Sequence, residues 1–413
     1  MSTKHFILIF ILGIAVILAA GCTQPAVQQQ PVPATTVTLT EPALTMTNPV
    51  APVPVASTDG VNIAYELELK TPDGMALVPE KIEVIDLATG KTIYTPSAEV
   101  LKKTFMPAAN PPPTAADMIN GTLKVPVPRI SIWFKVSPDA VPDKLVHRLT
   151  LNRTAIGLSP LSVTGGEVTV RKDLKPVVIG SPMRGAGWVA METTEPTTHH
   201  FLMPVTINGV TTVDQRYAQD WFYIDPVTGQ VANGDVNVTK NFLGYGKELL
   251  AVADGTVVDI RDDLPDNGIY KVPPFSFTTG PGNNVVIDIG NNKYACYVHT
   301  IPGSIRVKKG DVVKEGQVIA LLGNSGQSDI PHLHFEVVTD KPIIMGGEGY
   351  PFVFRSFDLI AKFNQTLLDK KTSSPDYTSQ KYWSEFGDFI QFNSQLVPQQ
   401  NKLQENWAIV RFP

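Results

Sequence analysis

The chain has 413 residues, 43% of them hydrophobic and only 18% charged, with 35 prolines and 31 glycines. That length allows two domains with real cores, and the Pro and Gly content suits turns and strands rather than long helices. A formal net charge of -5 gives no electrostatic case for binding nucleic acid.

Residues 1–22, MSTKHFILIFILGIAVILAAGC, carry Lys4, an apolar run from Phe6 to Ala20, and then Gly21-Cys22. About fifteen apolar residues are short for a spanning helix and right for a signal segment. The ending resembles the lipobox of exported lipoproteins, with Cys22 as the lipidated residue. Ala19 stands where leucine is usual, and an uncleaved N-terminal anchor is the alternative. Both readings place the rest outside the cytoplasm, tethered to a membrane. Cys22 and Cys296 are the only cysteines, so lipidation of Cys22 leaves no intrachain disulfide.

Residues 23–58, rich in Pro, Gln, Thr and Val with almost no charge, read as a disordered tether. Residues 59–180 read as a β-sandwich-like domain. VNIAYELELK alternates, KIEVIDLATGKTIY is a strand–turn–strand, and RISIWFKV and EVTVRKDL are further strands. No catalytic cluster lies there, and His147 reads as a structural strand histidine. Residues 181–356 are again strands with tight turns. Asn208-Gly209 marks a hairpin, and Gly turns follow at 309–311 and 315–317. In the 357–413 extension, SFDLIAKFNQTLL is the best helix candidate, and ENWAIVRFP adds a strand.

Residues 331–338 read PHLHFEVV. In a strand, His332, His334 and Glu336 share one face, and Leu333, Phe335 and Val337 face the core. Two imidazoles roughly 7 Å apart along one strand face can lean toward a common point, as two metal ligands or a ligand and a base would.

AVADGTVV, NNVVIDIG, YVHT, VKKGDVVKEGQVIALLGNSG and PHLHFEV occur in the order seen in the M23 family of zinc metallopeptidases, and the chain resembles that family over about residues 199–345. These lysostaphin-like or LytM-like enzymes cut peptide bonds in bacterial cell walls. The resemblance implies an all-β fold in which the N-terminal β-sandwich-like domain is followed by an M23/LytM-like sheet of barrel-sandwich hybrid type. It implies zinc, with water activated at the metal attacking the peptide carbonyl, and peptidoglycan or another cell-envelope peptide as partner. His334 and Asp220 would bind the metal, and His299 and His332 would be the catalytic histidines. The family's HxxxD pattern is broken, because Arg216 stands four residues before Asp220, and a guanidinium has no lone pair for zinc.

The third ligand would then be His199 or His200. Pairing about a two-residue Asn-Gly turn sets His199 opposite Ala218, on the face of Asp220, and a single bulge reverses the choice. A divergent branch of the family, with a histidine before this hairpin and a QRxAxD motif after it, resembles this chain in a way that favours His200. Arg216 would hold Asp220 or bind a substrate carboxylate, or replace the metal's charge in a noncatalytic binding module. Tyr297, Asn324 and Ser325 are the further substrate-contact candidates.

Overall fold

A computed structural model of the chain describes residues 44–71, 77–340, 344–372 and 378–413. The leader and Cys22 lie outside the described residues. Among the described residues, no helix is long and apolar enough to cross a membrane.

The first part of the described chain forms two antiparallel sheets. One holds Thr45–Thr47, Val55–Ser57, Gly60–Lys70, Phe105–Met106 and Arg129–Val136, and the other Pro79–Asp86, Thr92–Tyr94, Lys144–Leu151 and Leu161–Thr169. The strand Gly60–Lys70 shows how sequence produces this packing. Ile63, Tyr65, Leu67 and Leu69 point into a core shared with Ile82 and Leu149 of the other sheet. Asn62, Ala64 and Glu66 alternate with them and are buried as well. Their face is covered by the later half of the chain, so a pattern that reads as half-exposed is enclosed on both sides.

His147 is structural. It meets the Tyr65 hydroxyl at 2.7 Å through Nε2 and donates to the Gly166 carbonyl at 2.8 Å through Nδ1. Part of the segment that composition assigns to the tether is ordered: Thr45–Thr47 pairs with Glu68–Lys70, and Val55–Ser57 with Gly60–Asn62.

The larger sheet has twelve strands. Its path runs Val177–Ile179, Phe352–Phe363, Ala408–Phe412, Gly185–Met191, Gln219–Tyr223, Leu333–Thr339, Lys293–Val298, Asn284–Asp288, Gly255–Arg261 and Val312–Val313. This overturns the barrel-sandwich hybrid expectation. The two end strands, three and two residues long, do not pair with each other, and among the described residues no sheet closes into a barrel. Closure needs a continuous, staggered ladder. Here the Gly turns send Val312–Val313 to Gly255–Thr256, while Val318–Leu321 pairs separately with Glu248–Leu250.

Two local expectations also change. Residues 356–363, read as helix, belong to the strand Phe352–Phe363, and helix begins only at Gln365–Thr372. The β-rich run of buried Phe352, Phe354, Phe357 and Leu359 decides for sheet over helical propensity. The Asn208-Gly209 hairpin forms with both turn residues at positive φ, 50° and 75°, as a two-residue turn requires. Its ladder spans only Val205–Ile207 against Val210–Thr212, and a 3-10 turn over Asp214–Tyr217 follows. His199 and His200 therefore never pair with Ala218 and Tyr217.

Candidate metal centre

Asp220 and His334 are cross-strand partners, because Gln219–Tyr223 lies antiparallel beside Leu333–Thr339. Their facing side chains bring His334 Nδ1 to 3.0 Å from Asp220 Oδ1. His200 reaches the same oxygen from outside the sheet, with Nε2 at 3.4 Å. His332, just ahead of the strand, sets Nε2 3.6 Å from Asp220 Oδ2. His299 follows the neighbouring strand Lys293–Val298, its ring 4.8 Å from that of His332 and 6.0 Å from that of His334.

Backbone carbonyls fix three of these rings. Nδ1–H donates to Glu192 O at 2.8 Å in His200, to Ser325 O at 2.7 Å in His299, and to Ile330 O at 2.8 Å in His332. A carbonyl only accepts, so the proton of a neutral ring sits on Nδ1 and its Nε2 lone pair faces the cluster, while a second proton on Nε2 of His200 or His332 would face Asp220. His334 is reversed, with Nδ1 toward Asp220 and Nε2 3.8 Å from buried Glu336. A carboxylate behind a ligating imidazole is a common device for orienting it.

The electrostatics follow from burial and crowding. Burial lowers the pKa of His200. Burial, with His332 and His334 adding to it, holds His299 well below the ordinary histidine range. Burial also opposes the charges on Asp220 and His334, and in both cases the neighbours win. His200 and His332 hold the Asp220 carboxyl well below the usual range, and the Asp220 and Glu336 carboxylates push His334 up to about 10.

His199, His200 and Asp220 offer ligand atoms within 4.8 Å of one another. His200 Nε2 is buried with no hydrogen-bond partner, although it faces the Asp220 carboxylate. An imidazole lone pair aimed at a carboxylate is unfavourable unless a cation lies between them, so the donor set fits a metal such as zinc. His199 differs from its neighbour. Its side chain is 60% exposed and meets Glu192 Oε2 at 3.1 Å, at the rim. The cluster lines a groove of about 360 Å³ whose walls include Met203, Val272, Phe275 and Met345.

The other candidates lie elsewhere. Arg216 is buried, and its guanidinium donates to Glu66 and Glu348 rather than entering the groove. Tyr297 is in the core, where its hydroxyl accepts from Val252 N–H at 2.8 Å. Its neighbour Val298 lines the groove, and His299 joins that side only because its backbone is left-handed, φ 68°. Strand alternation alone cannot foresee that shift of phase.

Asn324 and Ser325 are fully buried scaffold. Asn324 N–H donates to Asp266 at 2.8 Å, and Ser325 Oγ donates to Thr300 O at 2.9 Å. Gly326, at φ +76°, lets this loop press on Gly282; a Cβ there would stand 2.4 Å from Gly282 N. The tight turn aims the Ser325 carbonyl at His299. Sequence reasoning missed Glu192, which grips both upstream histidines. Its carbonyl and positive φ of 50° carry no sequence signal.

This arrangement, antiparallel strands bringing histidines to an aspartate, is a candidate metal-binding cluster of the kind a metallopeptidase needs. Residues 239–344 match Peptidase family M23, a span that holds His299, His332 and His334. Over that part of the chain the similarity is to the M23, LytM-like zinc metallopeptidases, at a distance from the characterised ones. The chain is 36% identical over 121 residues to the peptidoglycan DD-endopeptidase ShyA of Vibrio cholerae, covering 29% of this chain and 24% of that one. It is 35% identical over 119 residues to ShyB of the same organism, with the same coverage. It thus spans about a quarter of the length of these curated relatives. The catalytic domain of lysostaphin from Staphylococcus simulans is 25% identical, with 30% of this chain and 68% of that one covered and a TM-score of 0.20.

Proposed function

We propose that the chain is a zinc-dependent endopeptidase that hydrolyses a peptide bond in peptidoglycan or a similar cross-linked cell-envelope peptide. The observation that carries this reading is the convergence of His200 Nε2 and His334 Nδ1 on Asp220 Oδ1, with the His299 and His332 rings alongside. His200, His334 and Asp220 would hold the metal at the groove. Bound zinc supplies a Lewis acid and lowers the pKa of water.

His332 and His299 present Nε2 to the same space. One accepts the proton of the attacking water and delivers it to the leaving amine, and the other stabilises the developing oxyanion. Among the described groove residues there is no lysine or arginine. A substrate's terminal carboxylate has no lysine or arginine to meet there, which suits an internal bond. The N-terminal leader, with lipidation at Cys22 or an uncleaved anchor, holds the enzyme outside the cytoplasm at a membrane.

A noncatalytic binding module draws on Arg216 standing where the family has a ligand histidine; His200 beside Asp220 weighs against it. The test is zinc content of the purified chain together with chelator-sensitive cleavage of cross-linked wall peptides. Protein without stoichiometric zinc, or zinc-loaded protein that cleaves none of these peptides, overturns the enzyme reading.

A further inference from the structure

The two upstream donors of the metal centre differ in how they are held: His200 lies outside the sheet, whereas Asp220 is paired with Met191 on one side and His334 on the other. His200 sits in a turn whose local backbone bond runs from Leu202 N–H to Thr198 O at 3.2 Å. Asp220 is the second residue of a strand that starts two residues after the 3-10 turn Asp214–Tyr217, so the path of the chain into it is set by that turn. Both segments lean on the same outside object, the outer face of the N-terminal sheet.

Phe201, next to His200 and fully buried, meets the Trp133 ring edge-on at 5.1 Å. Tyr217 meets the same indole at 5.7 Å. Arg216 lies 6.0 Å from the Phe201 ring and donates to Glu66, two residues along from Ala64, the strand partner of Trp133. The indole is itself fixed: Nε1–H donates to Asn62 Oδ1 at 2.9 Å, and the Asn62 amide donates to Ser57 Oγ at 2.8 Å.

We propose that Trp133 and Glu66 of the N-terminal sheet are positioning residues of the metal centre, setting His200 through Phe201 and Asp220 through Arg216 and Tyr217. This rests on the zinc-site reading above. A packed aromatic contact transmits a displacement because interiors have almost no free volume. Moving the indole moves Phe201, and His200 is the adjoining residue. On this account Arg216, at the position of the family's ligand histidine, serves assembly: it joins a segment of the site to the preceding sheet.

The experiment compares full-length Trp133→Ala, Phe201→Leu, Glu66→Gln and Trp133→Phe with the unmodified chain. Zinc affinity is read by chelator competition, and the cobalt(II)-substituted protein by its visible ligand-field spectrum. Ile82→Ala, in the core of the N-terminal sheets away from Trp133, controls for simple loss of stability. Near-UV circular dichroism decides which variants are native and therefore read.

We expect zinc affinity to fall about 10- to 100-fold in Trp133→Ala and Phe201→Leu, the range for residues that orient ligands. Glu66→Gln should fall in the same direction, with an altered cobalt spectrum. Trp133→Phe should restore most of the affinity, and Ile82→Ala should leave it unchanged. Zinc binding unaltered in every native variant, or lowered equally by Ile82→Ala, overturns the proposal while leaving the metal site standing. An unmodified chain that binds no zinc removes both.

Discussion

His200 Nε2 stands 3.4 Å from Asp220 Oδ1, its own Nδ1–H fastened to a backbone carbonyl. His199, the adjoining ring, instead turns outward to the Glu192 carboxylate. His200→Ala and His334→Ala should therefore each weaken zinc binding by on the order of 100-fold or more, at or beyond the upper limit for outer partners. His199→Ala should cost less than about tenfold on the same scale. Isothermal titration with zinc checks the contrast. Equal losses at 199 and 200 would contradict the assignment of His200.

His299 and His332 should separate binding from turnover. His299→Asn and His332→Asn keep the fold and leave zinc content near that of the unmodified protein. Each should lower kcat by roughly 10²- to 10⁴-fold, the usual contribution of a positioned acid or base. Metal analysis and cleavage of a labelled cross-linked peptide on the same preparations give both numbers.

Arg216 makes a stability prediction. Its side chain is 3% exposed and lies between Glu66 and Glu348. Arg216→Met strands two buried carboxylates and should destabilise the chain by about 3–5 kcal/mol, measured by urea unfolding. Arg216→His should also lose stability and should not supply a ligand to the Asp220 centre, because position 216 faces those carboxylates and not the groove.

His147 gives a pH dependence. Burial lowers its pKa from 6.5 to about 4. The unfolded chain takes up the proton first, so the contribution of neutral His147 is complete above about pH 7 and is lost as pH falls from 6.5 toward 4. The full span amounts to about 3 kcal/mol. Stability of His147→Gln and the unmodified chain, followed between pH 7.5 and 4.5, should show a shallower acid slope in the variant. Parallel slopes would show that His147 is not the group responsible.

The histidine face was legible because strand periodicity is a strict two: His332 and His334 lie to one side while Leu333, Phe335 and Val337 are in the core. The Asn-Gly hairpin was legible because its turn chemistry is local. Tyr297 was misplaced because one left-handed residue, His299, shifts the alternation where the strand ends. Asn324 and Ser325 looked like polar loop residues, yet their partners Asp266 and Thr300 come from distant sequence. The open course of the large sheet, and the burial of Glu66 and Arg216 against each other, are long-range pairings that no window of sequence contains.

The strand Ala408–Phe412 lies between Phe352–Phe363 and Gly185–Met191. A nascent chain that has emerged only as far as residue 400 lacks this seam, and the sheet exists as two separate pieces. One piece carries Asp220 and His334 and ends in the bare margin of Gly185–Met191, whose hydrogen-bonding groups are free to recruit a wrong strand. Contacts between residues so far apart form slowly. The metal centre's half of the sheet stays open on that side until residues 408–412 dock, so a chain cut short of them would carry the site's ligands beside an unprotected edge.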